Sequence, residues 1–340
     1  MATVIFQNKM FPAVLQAEIG SGVFKRLREI LPSRIYNEIE RFTPISGRAD
    51  CGSLEEIRLR RGRNVYLTMG KRADKQNLEL ECAISSEEIT RIFEKMCDGS
   101  LYTYSESIVN GYISIGEGIR VGVCGRASLE NGRILGIYDI SALNIRIPHA
   151  LIRLDSKLFS RISECVRRGS GVLVYSPPAE GKTTLLRSLC AMLASTERPM
   201  RVALVDSREE FGYMSDSPKL SIDILSGYPK AEAISIATAF MNPEVIICDE
   251  IGAPEEACAV AAAQNCGVPL IASTHGEDIL SVLRRPSVLT LHDIHAFGLY
   301  VGIRISDGGG FKYIFHTREE AQRILEDFGG HGNTVERWGV

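Results

Sequence analysis

Between the apolar run GVLVYS at 171–176 and the helix-forming run LLRSLCAMLAS stands Ser176-Pro177-Pro178-Ala179-Glu180-Gly181-Lys182-Thr183-Thr184. The segment follows the phosphate-loop pattern G-x-x-x-x-G-K-[ST] except that Ser176 takes the place of the first glycine. A buried strand before it and a helix after it are the context that gives the pattern meaning. The backbone amides of such a loop wrap phosphate oxygens, and the following helix directs its positive end at them. Residues Ser176 to Thr184 are therefore expected to line a nucleotide site. Within it, the Lys182 ammonium meets the β- and γ-phosphates, and the Thr183 hydroxyl ligates Mg²⁺. This segment calls for a buried strand before the loop and a helix after it.

Further along, Val245-Ile246-Ile247-Cys248-Asp249-Glu250 is an apolar strand that ends in two acids. Asp249 is expected to assist the magnesium. Glu250 is expected to polarise or orient a water for attack on the γ-phosphate. The acid pair, and the lack of an NKxD-type guanine-reading segment, point to ATP. Thr274 and His275 close another apolar run, VPLIAST, on the edge where open α/β sheets bind ligands, so either is a candidate γ-phosphate sensor. Asp206 and Glu210 in VDSREE are candidates on the same edge. His292 and His295, with no third ligand nearby, read as structural.

The runs GVLVYS, RVALVDS, PEVIICDE and VPLIAST suit strands buried on both faces, and they alternate with helical segments. They define an α/β nucleotide-binding domain over 149–328, followed by a loose tail at 329–340. Residues 1–148 read as a smaller α+β domain. In it, 24–41 is helical and split at Pro32, 54–69 is two alternating strands around an Arg61–Asn64 turn, and 85–110 is a helix capped by Ser85 or Ser86 with Glu88. A hairpin turns at Asn131-Gly132. A net charge of −3 over 340 residues gives no general pull toward nucleic acid or anionic lipid. The N-terminus MATVIFQNKMFPAV lacks a signal-peptide pattern, and no apolar stretch is long enough to span a bilayer. Nine cysteines without a CxxC pair read as reduced thiols. A cytoplasmic protein with no direct membrane insertion is expected.

The order of EIRLR at 56–60, GIRVGVCGR, NIRIP, S-P-P-x-x-G-K-T-T, VDSREE, LSGYPKAEA, PEVIICDEIG and STHG resembles the stage III sporulation protein AA family. That family is similar to the motor ATPases of type II and type IV secretion. The resemblance covers nearly the whole chain. It implies a RecA-like ATPase domain behind a secretion-type N-terminal domain, assembly into a homo-oligomeric, hexameric ring, and work with membrane proteins of a channel in endospore formation. Such families carry an arginine before the proline of the acid-pair strand and another after the acids. Thr238–Pro243 and Glu250–Ala253 contain neither. Arg120, Arg126 and Arg146 are candidates to supply that charge from a neighbouring subunit. Three other readings stay open: an ABC-type ATPase through Leu225-Ser226-Gly227, a RecA-like ATPase acting on nucleic acid, and an ATP-binding switch or scaffold with little turnover.

Overall fold

The computed structural model describes residues 22–42, 54–70, 76–100, 102–148, 151–152, 154–178, 180–195, 198–207, 211, 214, 220–305 and 311–329. The chain divides into two units. One is Met1–Ile152 with Glu209–Asp216, and the other is Arg153–Arg208 with Ser217–Val340.

The first unit opens with helix α1 at residues 22–30 and α2 at Ser33–Phe42. Pro32 separates them, because proline cannot extend the hydrogen-bond ladder of a preceding helix. Strands β1 (Leu54–Arg60), β2 (Asn64–Met69) and β3 (Gln76–Ala83) follow, then α3 (Ser86–Met96), α4 (Ser105–Val109), β4 (Tyr112–Ser114), β5 (Arg120–Glu130) and β6 (Arg133–Arg146). They form an antiparallel sheet in the order β3-β2-β1-β6-β5-β4. Alternation in EIRLR buries Ile57 and Leu59 beside Leu27, Ile35, Ile92 and Leu143 in one core. The intervening Arg58 stays outside and pairs with Glu56 at 2.7 Å.

Ser85 is the cap of α3. Its hydroxyl accepts from the Glu88 amide at 3.2 Å, and the Glu88 carboxylate accepts from the Ser85 amide at 2.9 Å. At the hairpin, Asn131 (φ 50) and Gly132 (φ 77) both take left-handed conformations, as a type I′ turn requires. One expectation fails in this unit. The helix expected over 85–110 stops at Met96, because Asp98 (φ 49) and Gly99 (φ 74) turn left-handed, and only the short α4 resumes it. Strand β3 is an addition to the expected elements: it buries Leu80 and Cys82 and exposes Glu79 and Glu81.

The second unit contains α5 (Ser156–Arg167), β7 (Gly171–Ser176), α6 (Lys182–Leu193), β8 (Val202–Asp206), β9 (Ile222–Ser226) and α7 (Lys230–Ile236). A π-type turn at Ala237–Met241 continues α7, and β10 (Val245–Glu250), α8 (Pro254–Asn265), β11 (Leu270–His275), α9 (Ile279–Leu283) and α10 (Pro286–Asp293) come next. Strands β12 (Phe297–Ile305) and β13 (Phe311–Thr317) and helix α11 (Arg318–Gly329) complete it. The sheet order is β13-β12-β7-β11-β10-β8-β9, parallel throughout except for the antiparallel pairing of β13 with β12. All six residues of β7 are buried, as expected for a strand covered on both faces. His292 is buried, its two ring nitrogens bonded to the Tyr300 hydroxyl at 2.6 Å and Gln322 at 2.8 Å, a structural role. Leu225 and Ser226 end an edge strand, so the LSG run is part of the sheet. No helix among the described residues is long and apolar enough to cross a membrane. Beyond Gly329 the tail expected at 329–340 lies outside the described residues.

Candidate functional site

The parallel arrangement brings four strand ends to one edge: Ser176 on β7, His275 on β11, Glu250 on β10 and Asp206 on β8. Lys182 opens α6 just after the loop, and Gly181 caps that helix in a left-handed conformation (φ 91). A side chain there would also collide with its surroundings, since a Cβ would stand 2.8 Å from Phe311 Cε1. Glycine is required on both counts.

Lys182 is buried. Its Nζ donates to the carbonyl oxygens of Ser176 at 3.1 Å and Pro177 at 3.2 Å, and it lies 3.3 Å from Ser176 Oγ. The same Nζ lies 2.8 Å from His275 Nδ1, and His275 Nε2 lies 3.2 Å from Glu250 Oε2. An ammonium can only donate, so Nδ1 accepts and the ring proton sits on Nε2, facing the Glu250 carboxylate. The hydrogen bond from Lys182 to His275 and the close approach of His275 to Glu250 thus set the loop lysine, the histidine and the second acid in one line across the strand ends. Burial pulls the Lys182 pKa below its ordinary value, against the carboxylates of Glu250 and Glu180, which favour the charged form.

Asp249 pairs with Lys230, the first residue of α7, at 2.8 Å. Lys230 also donates to the Glu250 carbonyl and lies 3.5 Å from Glu256. Burial lowers the Lys230 pKa, but Asp249 and its acidic neighbours more than reverse this, so it ends above the ordinary lysine value. Glu256 holds the turn after the acids by accepting from the Gly252 amide at 2.8 Å and the Ala253 amide at 3.1 Å. Thr274 is buried, and its hydroxyl accepts from Arg285 Nη1 at 2.8 Å. Arg285 is close enough to act on the Lys182 charge as well.

The structure therefore gathers Ser176, Pro177, Pro178, Glu180, Gly181, Lys182, Thr183 and Thr184 with Asp249, Glu250, Thr274 and His275. Asp206 is fully buried at the end of β8. Ala179 and Glu210 lie outside the described residues. Arg120, Arg126 and Arg146 are on β5 and β6 of the first unit, where Arg120 stacks over Tyr112 and Arg126 faces Asp139 at 3.4 Å.

The profile of a family described as "Sporulation stage III, protein AA" matches residues 26–321. The chain belongs to that family. The stage III sporulation protein AA of Bacillus subtilis (strain 168) is 33% identical over 293 residues, covering 84% of this chain and 92% of that protein. In fold, the chain is similar to the ATPase DotB of Legionella pneumophila, with a TM-score of 0.58 and 16% identity over 87% of this chain and 84% of that one. The pilus retraction motor PilT, solved with bound ADP, gives a TM-score of 0.58 and 16% identity over 81% of this chain and 84% of that one. The fold is thus that of the secretion-type motor ATPases, with a smaller α+β domain before a RecA-like one.

Two members of the site in this sporulation stage III AA chain belong to no nucleotide-binding motif. Lys230 lies within the GYPKAEA run, and its position just after Pro229, where a helix starts, is the signal that could have found it. Arg285 follows Arg284 and precedes Pro286, a pair of cations ahead of a proline-started helix beside the STHG strand.

Proposed function

We propose that the second unit binds Mg-ATP and hydrolyses it to ADP and phosphate, as the motor of a sporulation assembly. The line of close contacts from Lys182 through His275 to Glu250 is the observation that supports this best. It joins the phosphate loop to the acid that would direct water, so an arriving γ-phosphate would meet both through one imidazole.

The donor set fits the ligand. Gly181 leaves the loop without a side chain where phosphate must approach the amides, and the buried Lys182 ammonium is saturated only by carbonyls, a hydroxyl and the imidazole. A triphosphate supplies the anionic partner that a desolvated lysine lacks. Thr183 and Asp249 would hold Mg²⁺, which neutralises the phosphate charge when bound. Glu250, its side chain 29% exposed, would accept the proton of an attacking water or hold that water in line. His275 would keep the Glu250 carboxylate oriented, and Thr274 with Arg285 would add positive charge where the γ-phosphate sits. Asp206, at the end of β8 on the same sheet edge, would stand on the far side of the acids.

Family membership supports a part in endospore formation. A hexameric ring that engages membrane proteins of a channel, with no nucleic-acid substrate and no insertion of its own into the bilayer, completes the proposal. Calorimetry of Mg-ATP with native protein and with Lys182→Ala tests binding, and phosphate release by Glu250→Gln tests turnover. The proposal expects Lys182→Ala to lose uptake, and Glu250→Gln to keep uptake while turnover falls on the order of 100-fold or more. Native protein that takes up Mg-ATP without releasing phosphate would instead identify a switch.

A further inference from the structure

We infer that Phe311, with Tyr313 behind it, is the platform on which the nucleotide's purine base stacks. The inference rests on the proposed Mg-ATP site and adds the part of it that reads the base. Sheet order fixes the direction in which the nucleotide must run. The acids Asp249 and Glu250 are on β10, on the β11 side of the loop strand β7, whereas β12 and β13 lie on its other side. Since the γ-phosphate and metal belong with the acids, the α-phosphate, ribose and base must leave the loop toward β12 and β13.

Phe311 stands at that exit. As the first residue of β13, which runs antiparallel to β12, it sits at the same sheet edge as Ser176 and the end of β12. Its ring lies against Gly181: a Cβ there would be 2.8 Å from Cε1 and 3.1 Å from Cζ. Even so, 37% of the residue remains exposed. Tyr313, two residues on and so on the same strand face, stacks its ring behind at 6.4 Å between centroids and 19° between planes. Phe315 continues the row and is covered by the Arg161 guanidinium at 4.6 Å, so only the end nearest the loop is open. Among the described residues, the other exposed large aromatics of this unit, Tyr228 and Phe240, follow β9 and α7 on the acid side, away from that exit.

An exposed aromatic ring offers a π-face that any purine can stack on. The platform therefore predicts affinity for the base without discrimination between adenine and guanine by this contact. Full-length native protein, Phe311→Ala and Phe311→Trp are titrated calorimetrically with Mg-ATP and with Mg-tripolyphosphate, which has the phosphates and no base. Phe311→Ala should weaken Mg-ATP on the order of tenfold and leave Mg-tripolyphosphate unchanged. Phe311→Trp should restore Mg-ATP affinity, and its indole fluorescence should respond to Mg-ATP but not to Mg-tripolyphosphate. Unchanged Mg-ATP affinity in Phe311→Ala, or equal weakening of both ligands, overturns the platform and leaves the phosphate site standing. Uptake of neither ligand by native protein refutes the phosphate site, and the platform with it.

Discussion

Replacing Lys230 with methionine isolates the shortest and most buried ion pair of the site. The Lys230 Nζ and Asp249 Oδ1 are 2.8 Å apart, and the two side chains are only 11% and 9% exposed. Removing one partner of a buried pair leaves the other charge without compensation, at a cost of about 3–5 kcal/mol. For a unit of this size, each kcal/mol lowers the transition by about 2–4 °C, so the second unit's Tm should fall by roughly 6–20 °C. Scanning calorimetry can follow that transition. The double variant Lys230→Met/Asp249→Asn should recover most of the loss, because it removes both charges. Mg²⁺ should raise the Tm of Lys230→Met more than that of native protein, because the metal can take the cation's place at Asp249. Asp249 and its acidic neighbours hold the Lys230 pKa above its ordinary value, so its contribution is complete below about pH 10.4. That contribution is lost as pH rises through the folded value, and Lys230→Met should be less sensitive than native protein in that alkaline window. An equal Tm loss in native and Asp249→Asn backgrounds would refute the pairing as the source of the effect.

Gly181→Ala should cost about 1–3 kcal/mol from the left-handed backbone alone and weaken Mg-ATP uptake by pushing on Phe311; a Tm and affinity equal to native would refute this. Arg285→Ala should lower phosphate release on the order of 100-fold while Mg-ATP still binds, and unchanged turnover would remove Arg285 from the site. Ser85→Ala should destabilise the first unit by about 1 kcal/mol through loss of the α3 cap, read by urea titration.

The features that depend on neighbouring residues are legible in the amino-acid sequence itself. The Gly181-Lys182-Thr183 turn, the Asp249-Glu250 strand end, the Ser85 cap and the Asn131-Gly132 turn are each written in local chemistry, and each adopts the expected form. Strands at sheet edges or beyond the motifs are harder to read. β3 and β9 stand at the edges of their sheets; β9, with β12 and β13 past the last motif, brings the second unit's sheet from the four expected strands to seven among the described residues. Lys230 and Arg285 are hidden for a different reason. Their value comes from residues distant in sequence, Asp249 and Thr274, that only the parallel sheet brings alongside them. The arginines expected beside the acid pair are missing from the sequence, and Arg285 approaches the same edge from just ahead of α10 instead.

The insertion of β11 between β7 and β10 sets a dimension. Neighbouring strands are about 4.8 Å apart, so the tips carrying the loop and the acids are separated by roughly 9–10 Å, two steps instead of one. That gap leaves room for a phosphate group and its hydrated ion. His275 spans it at present. Whatever enters must therefore insert beside the imidazole or swing it aside, and the ring's position becomes a gauge of how full the gap is.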